Sequence, residues 1–369
     1  MTSAPQSVGE PISWSDPARA AAFERWLAEQ ARAHGLVPAS LRLASADASF
    51  RRYLRLDRHG GGCAIVMDAP PAQEDCRPFV QVAELLRAAG VRVPEVLAWQ
   101  PELGFMLLSD LGQQTLLEVL DAQQPEAALP YFKDAIAALL AWQQASRPGL
   151  LPAYDAALLR RELQLFPDWY LGRHKGWALT PAQTQTLAQT FDLIVQRNLA
   201  APQGFVHRDY MPRNLMLPHA GFDARDPQRR LGVLDFQDAV YGPLSYDIAS
   251  LMRDAFLSWD EDVVLDVTVR YWEQARRTGL LDFEDWGSDF GSFYRAVDWM
   301  ALQRHLKVAG IFARLTLRDG KPKYLADAPR FIHYIRSTCL RYRELTPLLR
   351  LIDEIEGWQG ASGFAYGRV

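Results

Sequence analysis

The chain has 369 residues, 49% of them hydrophobic and 23% charged, with a formal net charge of −4. This is globular composition with enough apolar material for one large or two medium domains, and it makes no electrostatic case for nucleic acid as a partner. No run of 18 apolar residues occurs, nor a basic start followed by an apolar stretch, so a cytoplasmic protein is expected, neither secreted nor membrane-bound.

In chain order, Asp16-Pro17 is an N-cap followed by proline, and Phe23, Trp26 and Leu27 repeat at helical spacing. A helix over about residues 17–34 is predicted, closed by Gly35. Short strands follow at Leu41–Ser45 and Phe50–Leu56 around the polar turn Ser45-Ala46-Asp47-Ala48-Ser49, and Gly60–Gly62 turns the chain into a strand at Cys63–Met67. Residues 78–89 place Phe79, Val82, Ala83 and Leu86 on one helical face. Strands near Val96–Trp99 and Phe105–Ser109 complete an α+β unit.

From Gln113 the pattern turns helical, with a helix from Thr180-Pro181 to about Leu199. Short strands at Leu215–Leu217 and Leu231–Phe236 interrupt it, and helices resume at Asp247. The reading is a small antiparallel-sheet lobe, residues 1–110, and a larger helical lobe, residues 111–369, with a ligand expected between them. Cys63, Cys76 and Cys339 follow no zinc or disulfide spacing and are expected to be buried or half-buried thiols.

The chemistry concentrates in His207-Arg208-Asp209-Tyr210-Met211-Pro212-Arg213-Asn214, followed by an apolar strand ending in Leu234-Asp235-Phe236. Single aspartates are usually caps or turn residues, but H-x-D-x-x-x-x-N followed about twenty residues later by Asp-Phe is a kinase catalytic loop plus metal strand. Phosphoryl transfer needs a carboxylate to orient a hydroxyl and take its proton, which falls to Asp209. It also needs oxygen ligands for Mg2+, which fall to Asn214 and Asp235. His207 is read as packing that holds the loop, and Asp247 as a structural anchor or helix cap. Asp238 is as readily a solvated turn residue as a neighbour of the metal.

On the nucleotide side no G-x-G-x-x-G occurs. The turn bearing Ser45, Asp47 and Ser49 is its positional substitute, with backbone N–H groups for phosphates. Only five of the 40 basic residues are lysine, and none precedes Lys133, so the strand Cys63–Met67 lacks a phosphate-binding lysine. Arg51 or Arg52 would supply the cation. Alternation puts Arg52 with Phe50, Leu54 and Leu56, and Arg51 with Tyr53 and Arg55. Glu84 projects away from the apolar helix face and reads as solvated. Backbone groups of Leu108, Asp110 and Leu111 are expected to hold adenine.

With these motifs in place the chain resembles the aminoglycoside-phosphotransferase-like kinases, with a bilobal protein-kinase-like α+β fold. The phrases Ser45–Tyr53, Val66-Met67-Asp68-Ala69-Pro70-Pro71, Leu165–Tyr170, Leu234–Pro243 and Leu302-Gln303-Arg304-His305-Leu306-Lys307 make it most similar to the N-acetylmuramate/N-acetylglucosamine anomeric kinases of bacterial cell-wall recycling. That resemblance implies ATP and Mg2+ as cofactors, an amino sugar phosphorylated at its C1 hydroxyl, and no small-lobe lysine. A monomer without nucleic-acid or membrane partners is expected.

Acceptor contacts are thinner. Arg304, Lys307, Arg314 and Arg318 share one face of a helix over residues 299–318; the plain reading is a solvated face, the sharper one that Arg304 or Lys307 meets the lactyl carboxylate of N-acetylmuramate. Arg213 is a further candidate, and Trp169, Tyr170 and Trp299 are candidates for sugar stacking unless they are core. The competing readings are an aminoglycoside, choline or homoserine kinase of the same fold, and a nucleotide-binding pseudokinase suggested by the missing lysine.

Overall fold

The computed structural model describes residues 12–14, 16–46 and 50–358, and of Ser45 and Ala46 the backbone alone. In chain order the elements are α1 (Pro17–His34), β1 (Arg42–Ala46), β2 (Arg52–Asp57), β3 (Cys63–Asp68), α2 (Arg77–Ala88), β4 (Val96–Gln100), β5 (Phe105–Ser109), β6 (Gln114–Thr115), α3 (Pro125–Gln144) and α4 (Ala156–Leu163). After a π-helical segment at Phe166–His174 come α5 (Pro181–Ala200), β7 (Gln203–Val206), β8 (Leu215–Leu217), β9 (Gly232–Val233), β10 (Val240–Pro243), α6 (Ser245–Met252), α7 (Glu261–Arg277), α8 (Phe290–Leu317), α9 (Ala328–Arg341) and α10 (Thr346–Glu356). Among the described residues no helix is long and apolar enough to cross a membrane.

The chain divides into two units, Met1–Leu116 with Asn214–Asp238, and Leu117–Arg213 with Ala239–Val369. These units differ from the expected division at residues 110/111 in two places, since the first runs to Leu116 and takes in Asn214–Asp238. Asn214–Asp238 joins the first unit because β8 pairs antiparallel with β6 and with β9, forming a three-stranded sheet. That sheet admits the chain closely at Gly112. Its φ is +145°, and a Cβ there would lie 1.9 Å from the Leu217 carbonyl oxygen.

The first unit is built on an antiparallel sheet of order β1-β2-β3-β5-β4. Helix α1 starts at the Asp16 cap and ends on left-handed Gly35. It buries Phe23, Trp26 and Leu27 against Leu54, Leu56, Ala64, Val66, Phe105 and Leu107. Each such side chain contributes roughly 1.5–3 kcal/mol when fully buried, so α1 is an integral part of this unit. The predicted pairing of Phe50 with the Leu54 and Leu56 face fails. Phe50 precedes β2 and is 62% exposed.

The second unit surrounds α8. Residues 297–310 of that helix are buried all round, so it is a central rather than a surface helix. Gly310 lets the chain at Leu165 approach, since a Cβ there would lie 2.4 Å from the Leu165 carbonyl. Helix α5 starts on a capping box, Thr180 with Gln183, and buries Leu187, Phe191, Ile194 and Val195. The two-stranded sheet β7–β10 pairs Val206 with Val240 and delivers the chain to His207.

Candidate active site

In the helical unit, β7 ends at Val206 and the next residues leave regular structure. Asp247, fully buried on α6, accepts the His207 N–H at 2.7 Å and the Arg208 N–H at 3.0 Å. These bonds satisfy two backbone donors that no strand partner takes up, and they hold Arg208 at φ +76°. Burial is the main reason the Asp247 carboxyl is pushed up to about 7. The two N–H bonds work the other way, and Asp209 adds a further upward push. The Asp209 N–H lies 3.3 Å from His207 Nδ1, and the Tyr210 hydroxyl donates to the Ala135 carbonyl at 2.7 Å.

Asp209 itself is half-buried. Desolvation alone would raise its carboxyl, but the positive charges of Lys307, Arg304, Arg208 and His207 outweigh it and hold the group below its ordinary range. Those cations are organised by Glu162, a buried carboxylate on α4. Its Oε1 accepts Arg208 Nη2 at 2.5 Å and Lys307 Nζ at 3.1 Å, and its Oε2 accepts the Tyr154 hydroxyl. Lys307 also donates to the Tyr246 hydroxyl at 3.3 Å. Burial works against the Lys307 ammonium, yet Tyr246 and Glu162 keep it above its ordinary value. The arrangement suits a proton acceptor: a carboxylate kept anionic by fixed cations.

In the sheet-rich unit, Asn214 and Asp235 come together. Asn214 is 8% exposed, and its Nδ2 donates to Asp235 Oδ2 at 3.3 Å. The backbone of Asn214 accepts the Leu234 N–H at 2.9 Å, extending the β8–β9 pairing. The predicted strand Leu231–Phe236 shortens to Gly232–Val233, because Asp235 turns to φ +63° and breaks the ladder. That turn is supported from both sides. Gln237 Nε2 donates to Asp235 Oδ1 at 2.9 Å, and Phe236 packs against Phe79 of α2 with the ring centroids 4.8 Å apart. The side-chain oxygens of Asn214 and Asp235 are hard donors of the kind Mg2+ takes, and magnesium ordinarily needs no more than one or two protein carboxylates.

On the nucleotide side, Asp47, Ser49 and the Ser45 side chain lie outside the described residues; Ser45 has its backbone paired with Tyr53. The two arginines separate. Arg52 binds Asp68 through Nε at 3.0 Å and Nη2 at 2.6 Å, beside Arg19 on the same carboxylate, and stacks 4.2 Å over Trp14. Arg51 is 9% exposed and joins Glu74, Nε to Oε2 at 3.1 Å. Glu84 is exposed. Leu108 lies in β5 between Ile65 and Val96, while the Asp110 carboxylate accepts from Arg55 at 2.7 Å and from the Gly112 N–H at 3.1 Å. The Leu111 carbonyl accepts from Arg92 at 3.0 Å.

The acceptor-side expectations need two corrections. The face of α8 bearing Arg304 and Lys307 is not solvated, since these side chains are 1% and 6% exposed; of the other two basic residues, Arg314 is half-buried and Arg318, beyond the end of the helix, is exposed. Arg304 reaches the Arg253 carbonyl at 3.3 Å and the Met211 sulfur at 3.6 Å. Trp299 and Tyr170 are buried in the core, where the Tyr170 hydroxyl donates to Glu356 at 2.9 Å, so neither ring offers a sugar-stacking face. Trp169 is half-buried beneath Arg173, and Arg213 is half-buried 4.8 Å over Phe256.

Sequence reading passed over Glu162, Glu74 and Gln237. Glu162 carried a usable signal, a charge on the buried Leu159–Leu163 face of a short amphipathic helix. Glu74 and Gln237 lie in irregular segments where no periodicity marks them.

A carboxylate among cations on an H-x-D-x-x-x-x-N loop and an Asn–Asp oxygen pair are groups of the kind that phosphoryl transfer uses. The model of the phosphotransferase enzyme family matches residues 40–281. An N-acetylmuramate/N-acetylglucosamine kinase of Pseudomonas aeruginosa is 51% identical over 88% of this chain and 90% of its own. Its counterpart in Pseudomonas putida is 48% identical over 90% and 95%. Choline kinase from Cryptosporidium parvum shares the fold with a TM-score of 0.56 at 10% identity, over 89% of this chain and 99% of that one. The chain belongs to the phosphotransferase enzyme family.

Proposed function

We propose that the protein transfers the γ-phosphoryl group of ATP to the C1 hydroxyl of N-acetylmuramate and N-acetylglucosamine, yielding sugar 1-phosphates in cytoplasmic peptidoglycan recycling. The observation that carries the substrate is the half-identity to N-acetylmuramate/N-acetylglucosamine kinases over about nine-tenths of their lengths. The reaction rests on the catalytic loop. Asp209, kept anionic by its cations, orients the acceptor hydroxyl and takes its proton. Asn214 and Asp235 would hold Mg2+, which when bound neutralises charge on the phosphate oxygens. Arg51, oriented by Glu74, is the cation assigned to the nucleotide phosphates, because Arg52 is already committed to Asp68. Arg304 and Arg213 remain for the lactyl carboxylate, since Lys307 already faces Glu162. A soluble monomer completes the reading.

A pseudokinase is disfavoured by the presence of Asp209, Asn214 and Asp235 together. The test is incubation with ATP and Mg2+ and each acceptor, with the phosphorylated position read by phosphorus and proton NMR. Phosphate on C1 of either amino sugar is the expected product. Phosphate on another sugar hydroxyl, or on an aminoglycoside or choline with no amino-sugar product, overturns the proposal.

A further inference from the structure

Lys307 is the single buried lysine of the five in the chain, and all five are described. Lys133, Lys175 and Lys323 are exposed and Lys321 is half-buried. In a sequence whose other cations are nearly all arginine, a lysine is the cation that acts most strongly on the Asp209 carboxylate. Glu162 Oε1 accepts both Lys307 Nζ, at 3.1 Å, and Arg208 Nη2, at 2.5 Å, and Arg208 immediately precedes Asp209.

An ammonium carries three N–H donors and no acceptor. One of these goes to Glu162 and one to the Tyr246 hydroxyl at 3.3 Å, and the third meets no partner among the described residues. Leaving a buried charged donor unmatched costs about 1–3 kcal/mol or more, so this N–H is held in place at some expense to stability. A guanidinium could not take the same position. Its planar fork would engage Glu162 bidentately rather than leave one compact donor directed elsewhere.

We propose that Lys307 is a catalytic residue that donates its third N–H to the acceptor oxygen which Asp209 deprotonates. In the step, the acceptor O–H proton passes to the Asp209 carboxylate and the oxygen forms a bond to the γ-phosphorus. The bond from that phosphorus to the bridging β–γ oxygen breaks, and ADP leaves with the electron pair. Lys307 keeps its own proton throughout; its hydrogen bond strengthens as negative charge grows on the acceptor oxygen. This role concerns the reacting oxygen, common to both amino sugars, and not the lactyl group that only one of them carries. It rests on the amino-sugar reading above.

The test uses Lys307→Met and Lys307→Arg in the full-length protein, with kcat and KM measured separately for N-acetylmuramate, N-acetylglucosamine and ATP. Methionine leaves Glu162 still paired with Arg208 and Tyr154, so the variant keeps a satisfied carboxylate and should fold. The expected result is a fall in kcat of about 10²–10³-fold on both sugars, the scale of losing one transition-state donor, with KM for ATP unchanged. Lys307→Arg should lose at least about tenfold in kcat on both sugars, because it restores charge but not the donor's position. If Lys307→Met does not fold, the arginine variant alone decides. Wild-type kcat on N-acetylglucosamine in the variant that folds, or a loss confined to KM for N-acetylmuramate, overturns the proposal and makes Lys307 a structural or carboxylate-binding residue. Failure of the amino-sugar reading itself shows differently, as a wild-type protein that phosphorylates neither sugar.

Discussion

Replacing Asp247 by alanine removes the side-chain acceptors of two adjacent backbone N–H groups, those of His207 at 2.7 Å and Arg208 at 3.0 Å, at a site with no solvent exposure. Each unmatched buried donor costs about 1–3 kcal/mol. Part of that loss is offset, because the substitution also removes a carboxylate that burial disfavours. A net destabilisation of about 3 kcal/mol is expected, which for a unit of this size lowers Tm by roughly 6–12 °C. The pH dependence gives an independent check through Asp247→Asn. Burial pushes the folded-state carboxyl up to about 7, against an ordinary 3.8. The folded protein therefore binds this proton more tightly than the unfolded chain. Stability owed to Asp247 is fully present below about pH 4, declines as pH rises towards 7, and is level above it. Asparagine lacks this titration, so the wild-type advantage over Asp247→Asn should shrink across that window, as measured by calorimetry at several pH values. An alanine Tm within about 2 °C of wild type, or a wild-type advantage that grows between pH 4 and 7, would refute the anchoring role.

Arg51→Ala should raise KM for ATP about 10- to 100-fold, the loss of a charge-assisted contact, whereas Arg52→Ala should lower Tm and leave KM for ATP unchanged because its guanidinium serves Asp68. Steady-state kinetics beside thermal melts separates the two, and the reverse pattern would exchange their roles. Asp209→Ala should abolish turnover while nucleotide affinity, measured by calorimetric titration, stays within a few-fold; retained turnover removes Asp209 as proton acceptor. Gly112→Ala should destabilise by at least about 2 kcal/mol, because φ +145° is foreign to alanine and the added Cβ would lie 1.9 Å from a carbonyl oxygen; urea unfolding measures it.

Elements whose pattern is local were legible. The cap at Asp16, the apolar stripe of α2 and the turn through Gly60–Gly62 each depend on neighbours a few residues apart, and β5 falls on Phe105–Ser109 as read. Elements set by distant partners were not. Leu231–Phe236 has the composition of a six-residue strand, yet the regular strand ends at Val233 and the last backbone bond is that of Leu234, because Asp235 takes a left-handed turn. Helix α8 shows the same limit. Its basic stripe has the periodicity of a solvated face, and only the packing of the Phe166–His174 segment, α6 and α9 around it makes that face interior.

The same distinction separates the parts of the site. The spacing of Asp209 and Asn214 on one loop is covalent, so sequence alone reveals it. What would suit Asp209 to the proposed role of base lies elsewhere in the chain: Asp247 fixes the loop's backbone from α6, and Glu162 on α4 binds both Arg208 and Lys307. Here Glu162 takes direct bonds from both Arg208 and Lys307, which fixes two of the positive charges that lower the Asp209 carboxyl. The second carboxylate thus holds in place cations that keep the first anionic, which is a condition a proton acceptor must meet.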